Sequence, residues 1–146
     1  MNKKTKKDSK VKLQNKQENF KNPNSMAITD WFYMTPNEIN AKSIAQLIEA
    51  ECDTPVELWE EMNILQIELS NKATIDFESM GLNFKDPSDM EFINSRNIHT
   101  IFAVYIASGV LEEEFKNILK VIFSRWEGFL CADSQEFQPA YGLGDL

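Results

Sequence analysis

Histidine is almost missing from this chain of 146 residues: His99 is the only one. A zinc site built on two histidines is therefore excluded. Cysteine is nearly as scarce, and Cys52 and Cys131 stand 79 positions apart with no CxxC spacing, which reads as two reduced thiols and not as a metal or redox pair. There is no glycine-rich phosphate loop, no EF-hand spacing and no Glu-x-x-His pair of the di-iron type. No cofactor or metal is called for by any motif. Long apolar runs are also lacking. The best, around Ile98 to Ala107, is interrupted by His99 and Thr100 and stops at Ser108-Gly109, well short of a membrane span. The lysines near the start are followed by polar residues where a secretory signal needs an apolar stretch, so a cytoplasmic protein with no membrane partner is expected.

What is present divides sharply by charge. Residues 1–24 hold eight lysines against Asp8 and Glu18, a balance of +6, with few large apolar groups. Such a segment cannot offset its own ordering entropy and reads as a disordered Lys-rich tail, with Met26 as an alternative initiator. Residues 25–146 keep seven bases against 21 acids, a balance of −14, and are long enough for one domain with its own core.

Three times the chain repeats a capping residue, proline, any residue and an acid: Thr35-Pro36-Asn37-Glu38, Thr54-Pro55-Val56-Glu57 and Asp86-Pro87-Ser88-Asp89. Each spells a helix start, with a side-chain oxygen for an orphan N–H, proline in the first turn and an acid at the positive end of the dipole. Behind them run apolar stripes at intervals of three and four. Ala41, Ile44, Ile48 and Cys52 form the first, and Trp59, Met62, Leu65, Leu69, Ala73, Phe77 and Met80 the second. Ile98 to Ala107 is apolar on nearly every face, and Leu111, Phe115, Ile118, Ile122, Trp126 and Phe129 form the last. The reading is an all-α bundle of four main helices, 36–52, 55–80, 87–107 and 110–130, with the third innermost. Two weak points stand inside the second helix: a break at Ser70-Asn71-Lys72, and an alternation over Thr74 to Phe77 that also suits a strand. Ile28 and Trp31 to Met34 are expected to pack across the bundle as a short aromatic element. The spacings of 19 and 32 between the starts, with unmatched stripes, exclude a repeat solenoid.

No segment carries a motif that names a reaction. Within an α-helical reading, Glu112, Glu113 and Glu114 splay around their axis and cannot converge on one cation, and Glu60 and Glu61 also diverge. His99 reads as a hydrogen-bonded structural imidazole; a small hydrolase-like enzyme would need it beside Cys131 or Ser134. The lysine tail could contact nucleic acid through phosphates, but the acidic body repels them and shows no recognition helix. The composition points instead to a noncatalytic protein-binding module, an adaptor, subunit or inhibitor of the immunity type, that presents acid to a basic partner. Its candidate surface is Glu60, Glu61, Glu68 and Glu112 to Glu114, with self-association through a second apolar flank as a further possibility. Acidic surfaces also serve solubility alone.

Overall fold

The two aromatic and β-branched runs of the chain, Trp31 to Met34 and Ile101 to Ile106, pair with each other as neighbouring antiparallel strands. Their composition suits a pleated surface buried on both sides. The architecture comes from a computed structural model that describes residues 27–146, so the expectation of a disordered tail over 1–24 lies outside the described residues. Seven strands form one antiparallel sheet: β1 (Asp30–Thr35), β2 (Val56–Trp59), β3 (Ile64–Glu68), β4 (Thr74–Met80), β5 (Thr100–Ile106), β6 (Phe129–Ala132) and β7 (Ala140–Tyr141). Their order across the sheet is β2-β3-β4-β5-β1-β6-β7. Three α-helices are described: α1 (Ala41–Glu51), α2 (Pro87–Ser95) and α3 (Glu113–Arg125).

The four-helix bundle is thereby corrected. Its first and last helices survive in shortened form as α1 and α3. The expected helix 55–80 is β2, a short turn of 3-10 helix at Glu60–Met62, β3 and β4. Its supposed stripe mixed two faces. Leu65, Leu69 and Phe77 are buried in one apolar cluster, Met80 packs on another, and Met62 is 43% exposed. The expected innermost helix 87–107 is helical only through Ser95, and Thr100–Ile106 is instead the central strand of the sheet. The aromatic strip does not pack across a bundle: it is β1, hydrogen-bonded to β5 on one side and β6 on the other.

Of the three proline-marked starts only Asp86 begins a helix, its carboxylate accepting from Ser88 N–H at 2.9 Å. That bond holds the Asp86 carboxyl below the ordinary range. Thr35 ends β1, and its hydroxyl accepts from Asn37 N–H at 3.1 Å and donates to the Glu127 carbonyl. The cap of α1 is Asn40, whose Oδ1 accepts from Ser43 N–H at 2.8 Å. Pro55 merely precedes β2.

Alternation along each strand sends side chains to two faces. On one, Tyr33, Phe77, Phe102, Ile106 and Leu130 meet α1 and α3 through Ile44, Ile48, Phe115, Ile118 and Ile122 in the larger core. Tyr33 stacks on Phe102 and Phe123, with Phe77 edge-on to Tyr33 and Phe102. Each such fully buried ring or branched side chain contributes about 1.5–3 kcal/mol. Gly128 is required at the edge of this core, since a Cβ there would collide with the Met34 carbonyl and come within 2.9 Å of the Tyr33 ring. The other face carries a smaller cluster. Phe32, Met34, Ile101 and Cys131 are joined there by Ile93, Ile98 and Phe137, with Phe84 and Phe92 edge-on or tilted to neighbouring rings. This second cluster covers β1, β6 and the Met80–Ile101 end of β4 and β5, and leaves β2, β3 and the rest of β4 outside it.

Candidate binding face

Strand parity fixes what occupies that uncovered side. Because Val56 and Leu58, Leu65 and Ile67, and Ile75 and Phe77 belong to the larger core, their alternates Glu57, Trp59, Ile64, Gln66, Glu68, Asp76 and Glu78 project to the opposite face. Glu57 is exposed and the others are partly exposed. The strand register aligns them into two rows that cross the sheet. One row reads Asp30, Tyr105, Asp76, Gln66, Glu57, and the next reads Phe32, Ala103, Glu78, Ile64, Trp59. With about 4.8 Å between strands, five strands span roughly 19 Å.

The charge on this face has one sign. Among the described residues, no Lys or Arg occurs in any of the seven strands, while five acids do: Asp30, Glu57, Glu68, Asp76 and Glu78. All five fall on alternates of core residues, so all five share one face. Some carboxylates are already engaged by neighbours. Gln66 Nε2 donates to Asp76 Oδ1 at 2.8 Å, Thr29 Oγ1 donates to Asp30 Oδ2 at 3.0 Å, and Lys72 Nζ is 3.9 Å from Glu68. Trp59 and Ile64 face each other across β2 and β3 and supply apolar surface beside the acids. The face offers cation-accepting carboxylates flanked by an aromatic ring and an aliphatic side chain, which suits lysine or arginine heads with their methylene stems.

The acids singled out from sequence are not one patch. Glu60 and Glu61 lie in the turn before β3, and Glu68 ends that strand about 13 Å further on. Glu60 pairs with Lys42 at 3.4 Å. Glu112 and Glu114 both reach the β3–β4 turn. Glu114 accepts from Ser70 N–H and Oγ, both at 3.0 Å, and both Glu112 oxygens accept from Asn71 Nδ2 at 2.9 Å. Glu113 points toward Lys116 at 4.0 Å. Only Glu68 of the six belongs to the strand face. Sequence reasoning passed over Asp30, Glu57, Asp76 and Glu78; their signal was the alternation Ile75-Asp76-Phe77-Glu78, legible only once that segment is taken as a strand.

His99 is not on an apolar helix. It is exposed in the turn entering β5, with Nδ1 3.0 Å from the Pro36 carbonyl oxygen. Cys131 pairs with Phe32 on β1, three residues (about 10 Å) from Thr35, whose carbonyl accepts from His99 N–H. Ser134 is further along, its Oγ donating to the Gln138 carbonyl at 2.6 Å. The structure therefore does not bring His99 to either nucleophile. Burial, with Asp133 nearby, pushes the Cys131 thiol up to about 12, far from a reactive thiolate. Among the described residues no three His, Cys, Asp or Glu side chains are grouped so as to hold a metal ion, and no helix is long and apolar enough to cross a membrane.

Away from the acidic face, Ser43, Gln46, Leu47, Glu51, Arg125 and Trp126 line a shallow groove of about 310 Å³ between α1 and the end of α3. Comparison of the chain with protein-family models, with curated proteins and with solved structures found no match.

Proposed function

We propose that this protein is a noncatalytic binding module that takes a basic protein surface on the open face of β2, β3 and β4 and the Tyr105 end of β5. One observation carries the reading: every strand carboxylate projects to the same side of the sheet, and no strand contains a cation. Solubility accounts for charge on this side of the sheet, since the other side is core, but it does not account for charge of one sign set beside Trp59 and Ile64. A basic partner is steered in by the −14 balance of residues 25–146 and then held through the Trp59 and Ile64 patch. The surface around Glu60, Glu61 and Glu112 to Glu114 is set aside, because those five residues lie in the turn before β3 and at the start of α3, off the strand face.

The test is affinity for an oligolysine 20-mer, measured for the full chain and for the triple variant Glu57→Gln, Asp76→Asn, Glu78→Gln. Three lost exposed pairs at about 0.2–1 kcal/mol each amount to roughly tenfold weaker binding in low salt. The difference shrinks at 0.5 M salt, where screening acts within a few ångströms. Equal affinity of the two proteins in low salt contradicts the proposal.

A further inference from the structure

The chain carries its own cationic ligand, tethered beside this face. Resting on the reading of the face as a surface for basic chains, we infer that the Lys-rich segment 1–24 binds the acidic face in cis and competes with the basic partner. Three observations support it. First, charge is complementary: the segment has eight lysines and a balance of +6, and the face has five acids and no base. Second, the point of attachment is right. The acidic row that crosses the sheet begins at Asp30, and Ala27, the first described residue, packs against Gly109, just after the end of β5. The chain thus comes off the sheet toward β5, which is the side on which Tyr105, Asp76, Gln66 and Glu57 follow in order. Third, reach is ample, since a row of roughly 19 Å takes about six extended residues at 3.3 Å each, a quarter of the segment.

Tethering makes weak contacts sufficient. A short tether gives an effective concentration in the millimolar range, so a segment that binds weakly as a free peptide still occupies the face much of the time. A basic partner then displaces it, and its apparent affinity is reduced to the intrinsic affinity multiplied by the fraction of face left open. Weakly basic proteins are rejected and strongly basic ones admitted.

The experiment compares the full chain with a full-length variant carrying Lys→Gln at all eight lysines of segment 1–24. Backbone amide and Trp59 indole spectra of the two are overlaid at low salt, and oligolysine 20-mer affinity is measured for both. The expected result is a set of differences at Asp30, Glu57, Gln66, Asp76 and Glu78 that is independent of protein concentration and vanishes in 1 M NaCl, with the variant binding oligolysine several-fold more tightly. Identical spectra over 27–146 with equal, measurable oligolysine binding overturn the cis contact and leave the binding face standing. Failure of both proteins to bind oligolysine overturns the face itself. Differences that grow with protein concentration overturn the cis assignment in favour of contact between copies. If an oligonucleotide binds the wild type and not the variant, with the sheet amides unchanged, the segment is a nucleic-acid contact and the inference fails.

Discussion

Gln66 and Asp76 stand opposite each other on β3 and β4, and the Gln66 amide donates to the Asp76 carboxylate at 2.8 Å. The amide is the one neutral polar group between Asp76 and Glu57 in that row, so it separates two carboxylates that would otherwise adjoin across neighbouring strands. Cross-strand pairs of this kind are worth about 0.2–1 kcal/mol, and like charges directly opposite are destabilising. Replacing Gln66 by Glu is expected to lower stability by about 1 kcal/mol near neutral pH and to recover as salt is raised, read from urea unfolding at two ionic strengths. A loss unaffected by salt contradicts this account of Gln66.

The β3–β4 turn is held from outside the sheet. Asn71 and Ser70 bond Glu112 and Glu114 at the start of α3, tying a hairpin to a helix more than 40 residues later in the chain. Glu114→Ala removes two accepted bonds from a partly exposed site and is expected to cost about 1 kcal/mol. Hydrogen exchange should show faster exchange at Ser70 and at the α3 start while the central strands stay protected.

Alkaline stability is set in part by Tyr33, whose phenol is fully buried and close to the Trp126 carbonyl oxygen at 3.4 Å. Burial raises its pKa well above the ordinary tyrosine range, with the Thr35 hydroxyl opposing slightly. The folded pKa exceeds the unfolded one, so the stability that neutral Tyr33 contributes is complete below about pH 10, the unfolded value, and declines as pH rises above it. Unfolding free energy should therefore fall above pH 10 in wild type and fall less steeply in Tyr33→Phe. Parallel pH profiles contradict the assignment.

Two thiols should respond differently to a disulfide reagent. Cys131 is fully buried with its thiol pushed up to about 12, whereas Cys52, at the end of α1, is partly exposed with a pKa raised by burial and by Glu51. At pH 8 one thiol per chain is expected to react under native conditions and the second only with unfolding. Rapid reaction of both contradicts the placement of β6 in the sheet.

Parts of this fold are legible in the sequence and parts are hidden by how its turns are written. The helical stripes Ile44 to Ile48 and Phe115 to Ile122 are true to period, and Asp86 is a true cap. The hairpins are hard to see because their left-handed positions are filled by Asn63 (φ 57°) and Lys72 (φ 76°), and not by glycine; Asn97 (φ 55°) does the same between α2 and β5. At Ser70-Asn71-Lys72 a three-residue turn closes with Lys72 N–H on the Leu69 carbonyl at 2.9 Å. With no glycine to mark it, strand residues on either side fall by chance at intervals of three and four. The central strands β1 and β5, apolar on both faces, have no alternation to announce them, and length alone had to decide between helix and strand. The acidic face was hidden with them, since five carboxylates spread from Asp30 to Glu78 converge only through strand parity and register.

Chemical-shift mapping of the oligolysine 20-mer onto the full chain at low salt tests the central claim most directly. The account predicts that perturbed amides cluster on β2 to β5 at Glu57, Gln66, Asp76, Glu78 and Tyr105, together with the Trp59 indole. Perturbations confined to Glu60, Glu61 and Glu112 to Glu114, or to the Leu47 and Trp126 groove, would contradict it.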